Sequence, residues 1–170
     1  MKVRIKSIFR AVVAGTIAGL AFLVFFPFLL AQLNQYWEVG QWDNFVLNTV
    51  GVILILAGVF MFLYCSGLFA KPGKGTPAPI EPPQKLVITG IYKYTRNPMY
   101  LGYFSIILGE FLFFGHLLLL FYFLFIVIFI NLYLRFLEEP KLEQRFGQDY
   151  ERYTQQVPRW IFFGIDKKTK

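Results

Sequence analysis

Residues Thr95 to Pro140 read TRNPMYLGYFSIILGEFLFFGHLLLLFYFLFIVIFINLYLRFLEEP, and this stretch decides the fold. It holds two apolar runs, Met99 to Gly115 and Leu117 to Phe136, parted only by His116. A helix crosses a bilayer with about 20 apolar residues, about 17 being near the lower limit. The two runs therefore predict a tight helical hairpin that turns at Gly115-His116.

Two further runs lie upstream, Ile8 to Ala31 and Phe45 to Ala70. Across its 170 residues the chain is 56% hydrophobic and 20% aromatic with 16% charged, too apolar for a soluble domain of this size. The expected fold is an all-α integral membrane protein of about four transmembrane helices. Pro27 is expected to kink the first of them without preventing a span, because neighbouring helices can satisfy the freed carbonyl. That first run starts with basic residues as a secretory signal does. It is longer than a signal core and "LLAQLNQ" offers a poor cleavage site, so it reads as a retained span.

Charge sets the orientation. Lys2, Arg4, Lys6 and Arg10 precede the first run; Lys71, Lys74, Lys85, Lys93 and Arg96 lie between the second and third; the tail holds the rest from Arg135 onward. The loop "QLNQYWEVGQWDN" and the hairpin turn hold no Lys or Arg. By the positive-inside rule both termini and the connector face the cytosol, as in a multi-pass membrane protein. The net charge of +7 then reflects orientation and attachment to the bilayer, with no nucleic-acid partner.

The chain divides into residues 1–70, two helices with a short outer loop; 71–98, a cytosolic connector leading into the third span; and 99–170, the hairpin with its tail. "KPGKGTPAPIEPP", Lys71 to Pro83, is a Pro/Gly linker that cannot be helical. Its Gly73-x-Gly75 pair lacks the strand, helix and third glycine of a dinucleotide loop, and no alternation of strands and helices suggests a Rossmann sheet. "QKLVITGIYKYTRNPMYLG" then reads as a structured approach to the third span, broken at Gly90. Cys65, the single cysteine, rules out an intramolecular disulfide and reads as a small buried apolar residue. His116, the single histidine, sits at the outer turn and makes no metal site by itself.

In an antiparallel hairpin, positions equidistant from the turn share a depth. Tyr100 is then level with Asn131 and Arg96 with Arg135, and Glu138, Glu139 and Pro140 follow just beyond. Taken singly these are interfacial anchors, an aromatic-belt tyrosine and a helix-start proline. Anchoring does not call for Asn97-Pro98 or for paired carboxylates beside arginines, so together they read as a polar pocket. Past Pro140, Leu142, Phe146, Tyr150 and Tyr153 form one face of an amphipathic C-terminal helix, either lying on the bilayer or closing the pocket, with Gly147 marking a break. Glu110, inside the third span, reads as paired within the bundle or near the far interface.

From "LVITGIYKYTRNPMYLGY" through "EEPKLEQRFGQDYERYTQQVPRW" the chain resembles the integral-membrane methyltransferases that include isoprenylcysteine carboxyl methyltransferase and phospholipid N-methyltransferases. Gly-x-Tyr, Arg-Asn-Pro-x-Tyr-x-Gly, the Glu pair, Phe-Gly-x-x-Tyr and Val-Pro-Arg occur in that order. The resemblance implies S-adenosylmethionine held in a cytosol-facing pocket by Asn97, Pro98, Tyr100, Gly102, Glu138, Glu139, Tyr150, Tyr153 and Arg159, with Arg96 and Glu139 near the transferred methyl group. It implies a lipophilic or prenylated acceptor drawn from the bilayer. Where the isoprenylcysteine enzymes carry His, this chain has Asn97, which can hydrogen-bond but carries no charge, a departure that bears on the acceptor rather than on methyl transfer. Alignment of donor and acceptor supplies most of the rate in such a displacement. Arg96 suits an anionic acceptor and Glu139 could serve as base for an amine, so O- and N-methylation both stand. A lipid-binding scaffold without activity and a membrane reductase are the competing classes; retention of both glutamates and the small number of spans weigh against them.

Overall fold

The computed structural model describes Gly19, residues 21–70 and residues 85–160. The basic N-terminus, most of the first half of the first apolar run and the Pro/Gly connector lie outside the described residues.

All regular structure among the described residues is helical, apart from one isolated bridge between Gln41 and His116. A π turn, Ala21–Phe25, leads into α1, Phe26–Tyr36. The widened turn precedes Pro27, which has no N–H to return to the preceding turn. The helix runs on past Ala31 into residues read from sequence as loop. The reason is Asn34, fully buried, whose Nδ2 donates to Val39 O at 2.8 Å while its Oδ1 accepts from Leu118 N at 3.1 Å.

Asn44 starts α2, Phe45–Ala70, by accepting from the amides of Val46 (3.0 Å) and Leu47 (3.1 Å), a side-chain cap for two otherwise unpaired donors. After an extended stretch and the 3₁₀ turn Gly90–Lys93, Pro98 opens α3, Pro98–Phe114. Gly115, at φ 64°, closes α3 in the left-handed conformation, and α4, Leu117–Tyr133, follows at once. The hairpin thus turns at Gly115-His116. His116 is buried rather than exposed there, because Gly40 O accepts from Leu117 N (3.2 Å) and Gly115 O from Trp42 N (3.1 Å), laying the preceding loop over the turn.

Among the described residues two helical stretches are long and apolar enough to cross a membrane, Phe45–Phe69 and Leu117–Phe146; Ala21–Tyr36 and Pro98–Phe114 are shorter apolar helices. Both long stretches expose most of their apolar surface: Phe45, Val46, Leu56, Phe60, Phe125 and Ile128 are all exposed. In water that would be an aggregating surface; in a bilayer it is the lipid-facing wall.

The closest helix packing joins α2 to α3, rather than the two arms of the hairpin. Gly51 and Gly58 face Gly109 and Gly102 in antiparallel register. A Cβ at Gly51 would come within 2.6 Å of Gly109 O, and one at Gly58 within 2.5 Å of Gly102 O. Ser105 adds a bond from its hydroxyl to Leu54 O at 2.8 Å. Small residues at such spacing let backbones approach where lipid supplies no hydrophobic drive for association. The segment after the connector packs on the end of the same helix: Val87 and Tyr92 bury Cys65.

Pro140 does not end the last long helix. A π turn, Leu134–Glu138, absorbs the missing donor, and the helix continues as α5, Glu139–Phe146. Gly147, at φ 52° and ψ −127°, then breaks the chain before α6, Gln148–Gln156. The expected single amphipathic helix is therefore two, and its apolar face lies against the protein: Tyr150, Tyr153 and Val157 pack with Leu86, Leu142 and Phe146.

Candidate active site

One end of the bundle gathers most of the polar residues singled out from sequence. Side chains lean toward the N-terminus of their own helix. Tyr100 on α3 leans out toward this mouth and Glu138 leans back toward the membrane. They meet although Glu138 lies seven positions beyond Asn131, the depth-matched partner expected from spacing: Tyr100 Oη donates to Glu138 Oε2 at 2.6 Å, a short charge-assisted bond.

Glu139 is held by two guanidinium groups. Arg159 donates from Nε to Oε1 (2.9 Å) and from Nη2 to Oε2 (2.7 Å), the two-pronged geometry that a planar guanidinium makes with a carboxylate. Arg96 Nη1 lies 3.3 Å from Oε1. The three side chains are 14%, 20% and 29% exposed for Arg96, Glu139 and Arg159, so the cluster is more shielded than a surface ion pair. The bond to Glu139 raises the Arg159 pKa further above its already high value. Tyr150 sits beside Arg96; burial pushes its hydroxyl pKa up, Glu139 adds to that, and Arg96 pulls the other way. Among the described residues, Arg96 Nε is buried without a hydrogen-bond partner.

The remaining sequence-selected residues are placed differently. Asn97 is buried and does not cap α3; its Nδ2 donates to Arg159 O at 3.2 Å. Pro98 is fully buried as the first residue of α3. Tyr153 donates its hydroxyl to Tyr92 O at 2.7 Å, which fastens the tail to the 3₁₀ turn. Gly102 is turned toward α2, where a Cβ would meet Gly58 O at 3.0 Å and Met61 Cβ at 3.3 Å. Arg135 is exposed, over the ring of Phe136, and stays out of the cluster. Glu110 lies far along α3, its Oε2 buried without a partner among the described residues.

Two residues not singled out earlier contribute. Thr95, fully buried, donates its hydroxyl to Arg159 O at 3.0 Å. Trp160 donates Nε1 to Asn131 Oδ1 at 3.1 Å and packs its ring 5.5 Å from that of Phe104. That bond explains an asparagine in an otherwise apolar run. Both residues stand in the quoted motifs, at the start of Thr-Arg-Asn-Pro and the end of Val-Pro-Arg-Trp, but only their long-range partners reveal what they do.

Lipid-facing helices that carry two arginines and two carboxylates at one shielded end define a membrane protein with a polar site at the bundle mouth. The profile of the phospholipid methyltransferase family matches residues 46–149, more than half of the chain, and the chain belongs to that family. It is a membrane methyltransferase by that membership. The matched residues span α2 through the start of α6 and include Arg96, Tyr100, Glu138 and Glu139; Tyr150, Tyr153 and Arg159 follow them. Comparison with curated proteins and with solved structures gives no match.

Proposed function

We propose that the protein moves a methyl group from S-adenosylmethionine to a lipid-like acceptor at the cytosolic face of a bacterial inner membrane, in a bundle of four spans with both termini inside. The observation that carries this reading is the Arg96–Glu139–Arg159 cluster beside the Tyr100–Glu138 pair, at the mouth of lipid-facing helices in a phospholipid methyltransferase chain. A soluble donor and a bilayer-bound acceptor can meet only at such an interface.

The residues present fit the donor. Glu138 offers negative charge to a sulfonium or an α-amino group, and Tyr100 and Tyr150 add aromatic walls. When bound, the donor supplies an electrophilic methyl group. The protein's part is alignment and exclusion of water. The unsatisfied Nε of Arg96 is suited to an anionic oxygen of the acceptor, such as a lipid phosphate. Glu139, with both oxygens engaged by guanidinium groups, orients Arg96. Glu138, bonded to a neutral tyrosine instead of a guanidinium, is the better proton acceptor if the acceptor is an amine.

Family membership favours a phospholipid headgroup amine, with a prenylated carboxylate as the second reading because Arg96 would bind that group equally well. Purified protein incubated with methyl-labelled S-adenosylmethionine and a total lipid extract, or with a prenylcysteine, separates them. Label in a phospholipid headgroup supports the first reading and label in a base-labile methyl ester the second. Label in neither overturns the proposal.

A further inference from the structure

The chain from Val157 to Trp160 crosses the mouth as a strap, and its backbone is pinned from one place. Arg96 N donates to Pro158 O at 3.0 Å, and Arg159 O accepts both from Thr95 Oγ1 at 3.0 Å and from Asn97 Nδ2 at 3.2 Å. Three consecutive residues ahead of α3 thus fix the two carbonyls on either side of the Arg159 Cα. With that Cα fixed, the Arg159 side chain reaches both oxygens of Glu139, and Trp160 reaches Asn131.

Thr95 is the centre of this arrangement. It has no exposed surface, and its hydroxyl donates to Arg159 O while accepting from Asn97 N at 3.3 Å. A β-branched residue is stiff about χ1, so the hydroxyl is held in the direction it must donate. Serine can make the same two bonds; valine keeps the shape and leaves a buried carbonyl short of a donor.

We infer that Thr95 is a positioning residue for methyl transfer, acting through the strap: it sets Arg159, which holds Glu139, which orients Arg96. The inference rests on the methyltransferase reading for its rate consequence and on geometry alone for the strap.

Two measurements test it on the full-length protein in lipid nanodiscs. In the first, kcat and acceptor KM are taken with labelled S-adenosylmethionine and the lipid extract. Thr95→Val is expected to lower kcat about tenfold, the scale of one buried hydrogen bond, with Thr95→Ser within about twofold of the parent. Thr95→Val combined with Arg159→Ala should fall no lower than Arg159→Ala alone, because residues in one chain of action are not additive. The second measurement needs no activity: trypsin cleavage after Arg159, followed by mass spectrometry, should quicken about tenfold in Thr95→Val and not in Thr95→Ser. Parental kcat in Thr95→Val, or a double variant whose loss is the product of the singles, overturns the inference. So does unchanged cleavage. If Thr95→Val fails to insert, Thr95→Ala removes the same hydroxyl without demanding space and is read by the same criteria. An inactive parent whose Thr95→Val form still opens to trypsin would sink the proposed function and leave the strap standing.

Discussion

Replacing Glu139 by Gln keeps the size and one acceptor oxygen of the side chain but removes the charge that two guanidinium groups share. Breaking one side of a buried ion pair costs about 3–5 kcal/mol, and an exposed pair is worth about 0–1 kcal/mol. With the three side chains 14%, 20% and 29% exposed, the cluster falls between these limits. A loss of about 2 kcal/mol is therefore expected, which at 1.36 kcal/mol per decade lowers turnover about thirtyfold if the cluster's geometry is what the rate depends on. The assay is initial rate at saturating S-adenosylmethionine, with thermal unfolding in the same nanodiscs as control. The shape of the pH profile distinguishes two roles. If Glu139 orients Arg96, the profile of Glu139→Gln is lowered uniformly; if Glu139 is the base, the acidic limb seen in the parent disappears. Turnover within about threefold of the parent in both Glu139→Gln and Arg96→Ala would refute the reasoning and leave the cluster as an anchor for the tail.

Tyr100→Phe removes the hydroxyl that donates to Glu138, and is expected to weaken S-adenosylmethionine binding about tenfold with little change in unfolding temperature; isothermal titration reads the first. Gly58→Ala or Gly102→Leu should act on helix packing: at Gly58 the new Cβ would need about 0.9 Å more room to reach ordinary contact at 3.4 Å, costing about 1–3 kcal/mol as a lowered unfolding temperature. Parental stability in Gly102→Leu with lost donor binding would move that glycine back to the pocket. For topology, single cysteines at Glu38 and Asp43 in a Cys65→Ala background should react with an impermeant reagent from outside intact cells, while those at Glu143 and Arg152 should not; all four positions are exposed, and the reverse pattern would invert the orientation.

The apolar runs, the turn at Gly115-His116, the breaks at Gly90 and Gly147 and the gathering of Arg96, Tyr100, Glu138 and Glu139 at one mouth were all legible from sequence, because each follows from length, a turn residue or distance from a turn. Helix pairing was not. A helix that is hydrophobic all round presents no face to read, so the glycines at 51, 58, 102 and 109 gain meaning only once α2 and α3 are set in register. Gly102 is assigned to the pocket by the resemblance alone, and its contact with Gly58 and Met61 cannot be read beside that assignment. The strap escaped for a different reason: Thr95 and Asn97 act on one backbone carbonyl, that of Arg159, more than sixty positions away, and no local pattern encodes such a partner. Nor does the proline at Pro140 announce from sequence that the turn before it widens. A proline ends a helix only where the preceding turn cannot widen, and here it does.

That widened turn sets a phase. Each residue of an α-helix advances the side-chain direction by about 100°, so one surplus residue between Leu134 and Glu138 rotates everything after it by roughly that angle relative to an unbroken helix. Arg135, early in the turn, is exposed, whereas Glu138 and Glu139 at its far edge meet Tyr100, Arg96 and Arg159. Adding a single residue there would leave composition and apolar length almost untouched while swinging both carboxylates by roughly 100° away from their partners, whereas deleting one would remove the surplus and let the turn close with both carboxylates still in phase. The facing of the two carboxylates is thus keyed to a count of residues along one helix, and an insertion of one residue anywhere between Leu134 and Glu138 is expected to be far more damaging than most substitutions in the same five positions.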